Sequence, residues 1–234
     1  MLNEKHQQFA DLLQKHARKI SKVVDFDPQQ DKLFPFDFTS DNKDLSVETV
    51  ADTTVFSAWI ETVLRQNQCK FGVGGYFENR TLYARSSHFN TLDEPRRLHL
   101  GVDIWGEAGT PVYAPFAGKI HSFQDNDNFG DYGATIILEH CFYGLIFFAL
   151  YGHLNRKSLE NLYSGKAIIQ NEKIAEFGFP AENGNWPPHL HYQLMFDMEG
   201  KTGDYPGVCK LSEKEKYQQN IPDPNLILRF PVQR

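Results

Sequence analysis

Four residues in two distant segments of the chain could form a metal site: His99 and Asp103 in the first, and His189 and His191 in the second. Proteins hold zinc through neutral imidazole nitrogen and carboxylate oxygen, and a catalytic zinc site leaves one position open for water. The bound ion lowers the pKa of that water towards about 7 and polarises a carbonyl group. Three of the four side chains would therefore be enough for a hydrolytic metal centre.

Both segments have the alternating pattern of a β-strand. Apolar side chains occupy every second position, at Leu100, Val102 and Ile104 in the first segment and at Leu190, Tyr192 and Leu194 in the second. Successive side chains of a strand point to opposite faces, so the polar residues between them share one face. If the two strands are neighbours, two imidazoles and a carboxylate converge beside a further histidine.

Spacing alone leaves the ligand set open. Residues two apart on one face of a strand are separated by about 6.6–6.8 Å, and either His189 or His191 could reach a shared ion. A site of three histidines, with Asp103 beside the ligands rather than among them, is equally compatible with the pattern. Five other histidines are interpreted as ordinary surface or core residues: His6, His16, His88, His121 and His140.

Three motifs occur in an order that resembles the lysostaphin-type (LytM-like) zinc metalloendopeptidases, which cut peptide bonds in bacterial cell-wall peptides. They are His-Leu-Gly-Val-Asp at 99–103, Tyr-Gly-His-Leu at 151–154 and His-Leu-His at 189–191. The stretch 109–120 is also similar to the strand-turn-strand that follows the first motif in that family. The resemblance covers roughly 97–206.

The resemblance implies a ligand set, a cofactor and a substrate. His99, Asp103 and His191 would bind zinc, and His153 and His189 would lie near the metal-bound water as the catalytic residues. The implied substrate is a peptide in the stem or cross-link of peptidoglycan, hydrolysed by attack of a zinc-bound water.

Peptide hydrolysis needs a base for the attacking water, a donor for the developing oxyanion and an acid for the leaving amine. Asp103 cannot act as the base while its carboxylate holds the metal. The sequence has no His-Glu-x-x-His helix to supply a glutamate instead. This leaves His153 and His189, and the sequence does not divide the roles between them.

We predict a mainly β fold, α+β overall, in which an antiparallel β-sheet catalytic domain of lysostaphin type follows a helical N-terminal arm. From residue 98 onward, short apolar segments alternate with Gly, Asp and Asn turns, which is typical of antiparallel sheets. A further strand pair is predicted over 76–87.

The N-terminal part has helical periodicity over 1–24 and 47–66, on either side of an irregular linker at 25–42. The predicted divisions of the chain are 1–70 for the helical arm and linker, 71–208 for the β-rich zinc peptidase domain, and 209–234 for a C-terminal tail with a short helix. Oxygen ligands in the linker (Asp37, Asp41 or Asn42) could fill the open zinc position, or the arm could simply pack against the sheet.

Composition argues against several functions and partners. The formal charge of −6 gives no basic footprint for nucleic acid or an anionic membrane, and the three scattered cysteines do not form a disulfide framework. The chain has no apolar run long enough to cross a bilayer, and its polar N-terminus is not a secretory signal. These features predict a cytoplasmic protein, or a periplasmic or extracellular one if the chain is a processed form.

Two other functions remain open. One is an intracellular enzyme that uses the same zinc site on a different small substrate, and the other is a non-catalytic regulatory module. The sequence does not indicate an oligomeric state.

Overall fold

The structure is a computed structural model that describes residues 4–80 and 94–231. The strands are β1 Leu33–Phe36, β2 Phe71–Gly74, β3 Leu98–His99, β4 Val102–Trp105, β5 Pro111–Tyr113, β6 Gly118–Asn126, β7 Gly133–Phe142, β8 Leu145–Leu154, β9 Ala167–Ile168, β10 Lys173–Glu176, β11 His189–Met195 and β12 Val208–Cys209. The helices are α1 Glu4–Lys15, α2 Val47–Ala51, α3 Thr53–Gln66, α4 Lys214–Asn220 and α5 Asn225–Leu228.

Eight strands form one sheet in the order β1-β2-β4-β11-β8-β7-β6-β9. Its neighbours are antiparallel except for β1 and β2, which run parallel. Two smaller pairs, β5 with β10 and β3 with β12, lie beside it. The predicted fold class, a mainly β protein built on antiparallel sheet with a few helices, is confirmed.

The middle of the sheet consists of β4, β11 and β8 side by side. The apolar residues predicted for one face of β11, Leu190, Tyr192 and Leu194, have no exposed surface and belong to the main core together with Val102 and Ile104 of β4. Burial of one leucine side chain stabilises a fold by roughly 1.5–3 kcal/mol. These alternate residues therefore hold β11 in register with β4 and leave its polar residues on the other face.

The segment 98–104, which contains the first motif, is bent, whereas its alternating apolar and polar residues predicted one continuous strand. β3 ends at His99 and pairs with β12, and β4 begins at Val102 and pairs with β2 and β11. Gly101 lies at the bend, where a Cβ atom would come within 2.6 Å of the His191 ring and 2.8 Å of the Tyr192 carbonyl oxygen. Only glycine fits so close to β11, and the bend brings His99 over the end of that strand.

The N-terminal arm is less helical than predicted. α1 ends at Lys15 and packs Phe9 against Phe147 and Phe196, with ring centres 5.0 and 5.4 Å apart. The second predicted helix is two helices, because the Asp52 carboxylate accepts hydrogen bonds from two backbone N–H groups and begins α3 as its N-cap.

The predicted linker contains β1, which adds an edge strand beside β2. Pro35 is tolerated there because an edge strand can spare a backbone donor. The division of the chain at residues 70 and 208 stays a prediction.

The predicted strand pair at 76–87 lies partly outside the described residues. Within the described residues, Tyr76 and Phe77 form a turn, and Asn79 forms an isolated antiparallel β-bridge with Leu98. None of the helices in the described ranges has the length and apolar character needed to span a bilayer.

Candidate metal centre

Three buried side chains meet at one point above the sheet: His99, Asp103 and His191. His191 on β11 pairs directly with Asp103 on β4, so the two side chains are cross-strand neighbours. Nδ1 of His191 lies 3.0 Å from Oδ1 of Asp103, and Nε2 of His99 lies 2.9 Å from that nitrogen and 3.2 Å from that oxygen. Donor atoms that surround a tetrahedral zinc ion at about 2.0–2.2 Å are about 3.3 Å apart, so this donor set fits zinc.

His189 is not part of this cluster. Among the described residues, His99, Asp103 and His191 are the group whose donor atoms come close enough to share an ion. This favours the ligand set implied by the resemblance over the three-histidine alternative.

The hydrogen bonds of the two imidazoles leave the correct nitrogens for a metal. Nδ1–H of His99 donates to the Gly75 carbonyl at 2.9 Å, which leaves Nε2 with its lone pair. Nε2–H of His191 donates to Oε1 of Gln193 at 3.1 Å, and Nε2 of Gln193 donates in turn to the Pro206 carbonyl at 3.1 Å. The Pro206 contact sets the orientation of the amide, so Nδ1 of His191 carries the lone pair. Metal-binding histidines usually have this kind of partner on the other ring nitrogen.

The protonation states also suit a metal. Burial, reinforced by the positive charge of Arg80, lowers the pKa of His99 to about 3. Burial alone would raise the pKa of Asp103, but its polar neighbours, among them the Arg80 guanidinium that donates to Oδ2, outweigh it and hold that pKa well below its usual value. Neutral imidazole and ionised carboxylate are the forms that bind metal ions.

His153 lies near the C-terminal end of β8 in a strained backbone conformation. Its φ is 61°, in the left-handed region that non-glycine residues rarely adopt. Its N–H donates to the Tyr132 carbonyl at 2.8 Å, and its own carbonyl accepts from the N–H of Gly178 at 2.9 Å. Holding a residue in this backbone conformation costs of order 1–3 kcal/mol of folding free energy, and such strained residues cluster at functional sites.

His153 and His189 form a pair of neutral imidazoles with ring centres 4.1 Å apart. Each Nδ1–H donates to a backbone carbonyl at 2.8 Å, that of Asn183 for His153 and that of Pro187 for His189, so each Nε2 is an acceptor. Burial lowers the pKa of His189 to about 4 and that of His153 well below its usual value. The Trp105 ring stacks on His189 at 3.9 Å and fixes its plane.

A cavity of about 130 Å³ lies beside these side chains and gives access to Asp103, His153, His189 and His191. Four tryptophan and tyrosine residues line it: Trp105, Tyr132, Trp186 and Tyr205. A water needs about 10–15 Å³ of such space, so the cavity admits several waters or a small part of a peptide. The five predicted site residues thus lie in or beside one aromatic-walled cleft.

Two functional candidates were not predicted from the sequence. Gln193 lies two residues after His191 on the same predicted face, but its role depends on the distant Pro206 carbonyl. Arg80 is fully buried, and its Nη1 donates to Oδ2 of Asp103. No motif in the sequence points to Arg80. It reaches Asp103 only in the folded chain, where β2 and the turn that follows place it beside the site.

The linker residues considered as a fourth ligand lie elsewhere. Nδ2 of Asn42 donates to the Asp37 carbonyl at 2.7 Å, and the Asp37 carboxylate accepts from the N–H of Thr39 at 2.8 Å. Asp41 is exposed, and none of the three candidates lines the cavity. The arm contributes Phe38 to this region instead, and its ring packs 5.4 Å from that of Trp105.

One stretch of the chain that contains all five predicted site residues matches a known family. Residues 97–203 match Peptidase family M23. Over these residues the match agrees with the predicted family. The match supports a peptidase, and therefore a hydrolase, and it includes His99, Asp103, His153, His189 and His191.

Several solved structures are similar to the chain. The catalytic domain of lysostaphin from Staphylococcus simulans is 21% identical, with 68% of this chain and 97% of that one covered and a TM-score of 0.40. A zinc-containing peptidase from Vibrio cholerae is 25% identical, with 42% of this chain covered and a TM-score of 0.34. This chain spans only 27% of the length of the Vibrio protein. No curated protein matches the chain.

Proposed function

We propose that this protein is a zinc-dependent endopeptidase that hydrolyses peptide bonds in the stem or cross-link peptides of peptidoglycan. The observation that carries the proposal is the convergence of His99, Asp103 and His191, whose donor atoms lie 2.9–3.2 Å apart. When bound there, zinc supplies a Lewis acid that lowers the pKa of water and polarises a carbonyl.

His153 and His189 would move the protons of the reaction. Each holds its own proton on Nδ1, so each Nε2 can accept a proton from the attacking water. Once protonated, the same nitrogen can stabilise the oxyanion and return the proton to the leaving amine. The Trp105 stack keeps the His189 ring in one plane while this happens.

The complete donor set supports an enzyme rather than a non-catalytic regulatory module. A module that only binds a partner has no need for three converging ligands and two neutral histidines beside them. An intracellular enzyme with a different small substrate would use the same residues, so cell fractionation and the choice of substrate separate that alternative from wall hydrolysis.

The test is to incubate the zinc-loaded protein with purified wall peptides and to analyse the products by mass spectrometry. We expect pairs of fragments whose masses sum to the substrate plus one water, and none with the Asp103→Ala variant. Intact wall peptides after incubation with protein of measured zinc content would contradict the proposed substrate.

A further inference from the structure

The two carboxylate oxygens of Asp103 have different partners, and one of these partners is a buried arginine. Arg80 is 1% exposed, and its Nη1 donates to Oδ2 of Asp103. The other oxygen, Oδ1, is the one that lies 3.2 Å from His99 and 3.0 Å from His191. The carboxylate therefore has one oxygen for the metal position and one for the guanidinium.

The guanidinium is itself held on two further sides. Its Nε donates to Oε2 of Glu78 at 2.6 Å, and Oε1 of Glu78 accepts the N–H of Phe38 at 3.3 Å. The Phe38 ring centre lies 5.1 Å from the guanidinium carbon. A buried arginine is stable only when it is paired and hydrogen-bonded, and Glu78 and Asp103 supply that pairing.

Strand β2 leaves room for this arrangement. Gly74 pairs with Asp103 in the register of β2 and β4. A Cβ atom at Gly74 would lie 2.4 Å from Nη2 of Arg80, so a larger residue would push the guanidinium away. Glu78, Arg80 and Gly74 all precede the part of the chain that matches the family, residues 97–203.

We propose that Arg80 is a positioning residue that fixes Asp103 as a one-oxygen ligand, and that Glu78 cancels the charge of Arg80 so that the centre can accept a dication. The inference rests on the proposed zinc centre. The rigid guanidinium fork fixes Nη1 on Asp103 and Nε on Glu78 relative to each other, which the single ammonium group of a lysine does not do. Losing a hydrogen-bond partner of a metal ligand typically weakens metal binding by about 10–100-fold.

The decisive variant is Glu78→Gln combined with Arg80→Met, because it leaves the net charge unchanged while it removes the contact of Arg80 with Asp103 together with the ion pair of Arg80 and Glu78. Zinc affinity is measured for the full chain by competition with a chromophoric chelator, with zinc alone as the ligand. We expect the affinity to fall by about 10–100-fold. Glu78→Gln alone leaves the charge of Arg80 uncompensated beside the dication, and there too we expect a loss of about tenfold or more.

The matched control is Lys119→Met combined with Glu139→Gln, which removes a partly exposed ion pair of 2.9 Å between β6 and β7. Its zinc affinity should equal that of the wild type. Circular dichroism checks the fold of every variant. If the double variant at Glu78 and Arg80 does not fold, Arg80→Lys replaces it, because lysine keeps the charge without the fork and should show the same loss.

The outcomes are separable. Zinc affinity within about twofold of the wild type in the double variant, or in Arg80→Lys, would overturn the positioning role. An unchanged affinity in Glu78→Gln would overturn the charge compensation. A wild-type protein that binds no zinc would overturn the proposed centre itself.

Discussion

His191 on β11 faces Asp103 on β4 in direct cross-strand register, and the donor atoms Nδ1 and Oδ1 of the two residues are 3.0 Å apart. The register follows from the core beneath, where the apolar residues of β11 pack with those of β4. The candidate metal centre is thus positioned by the same strand pairing that stabilises the fold.

Removing the hydrogen-bond acceptor of His191 should weaken zinc binding. Gln193→Leu deletes the Oε1 that accepts Nε2–H of His191, so the imidazole can rotate or change tautomer. We expect a loss of about 10–100-fold in zinc affinity, measured by chelator competition. Gln193→Glu keeps an acceptor at this position and should lose much less; equal losses in the two variants would show that the acceptor is not what matters.

Replacing either neutral histidine should stop turnover without releasing the metal. His153→Ala and His189→Ala remove the two Nε2 acceptors, and we expect each to keep zinc and to lose about 10²-fold or more in rate. Metal content and hydrolysis of wall peptides are measured on the same samples. A variant that loses zinc identifies that residue as a ligand, and one that keeps both zinc and rate disproves its catalytic role.

Filling the space at Gly101 should displace His191. A Cβ there would lie 2.6 Å from the imidazole, so Gly101→Ala should weaken zinc binding and destabilise the fold by about 1–3 kcal/mol. Gly75→Ala is the matched control, because the nearest contact of its Cβ would be 3.4 Å away and the backbone carbonyl that accepts from His99 is retained. Calorimetry and zinc titration should separate the two variants, and equal behaviour would rule out crowding as the reason for glycine at the bend.

Acid should destabilise the fold partly through His140, which lies far from the metal ligands in sequence. Burial lowers its pKa to about 4, although the Ala117 carbonyl and Glu139 oppose the shift. Nδ1–H donates to that carbonyl at 3.1 Å, and Nε2 has no hydrogen-bond partner among the described residues. The unfolded chain, with a pKa of about 6.5, takes up the proton first.

Stability from this group is therefore complete above about pH 6.5 and is lost as the pH falls towards about 4, up to about 3 kcal/mol in all. His140→Gln cannot take up this proton, so its free energy of unfolding should depend less on pH. Urea unfolding of metal-free wild type and variant at pH 7.5 and 4.5 measures the difference. Parallel pH profiles would show that His140 does not contribute.

The alternation of apolar residues predicted which side chains share a face, because that information is local to each strand. It placed His189 and His191 on one face of β11 and Asp103 among the polar residues of β4, and the structure brings Asp103 and His191 together. It did not predict the bend at Gly101, which depends on the close approach of the neighbouring strand.

The contacts that orient the ligands could not be predicted in the same way. The ion pair of Arg80 with Asp103 requires the register of Gly74 opposite Asp103, and no periodicity specifies which strands become neighbours. The edge strand β1 was also missed, since a short run that contains Pro35 has the local signals of a loop and becomes a strand only beside β2.

The central claim is that His99, Asp103 and His191 hold one zinc ion, and metal analysis by mass spectrometry of the wild type and of the three single alanine variants tests it most directly. We expect about one zinc per chain in the wild type and a loss of zinc in each variant, because two ligands rarely retain an ion. His121→Ala, outside the cluster, should keep its zinc. Full zinc occupancy in Asp103→Ala would contradict the assignment and point to a site of three histidines.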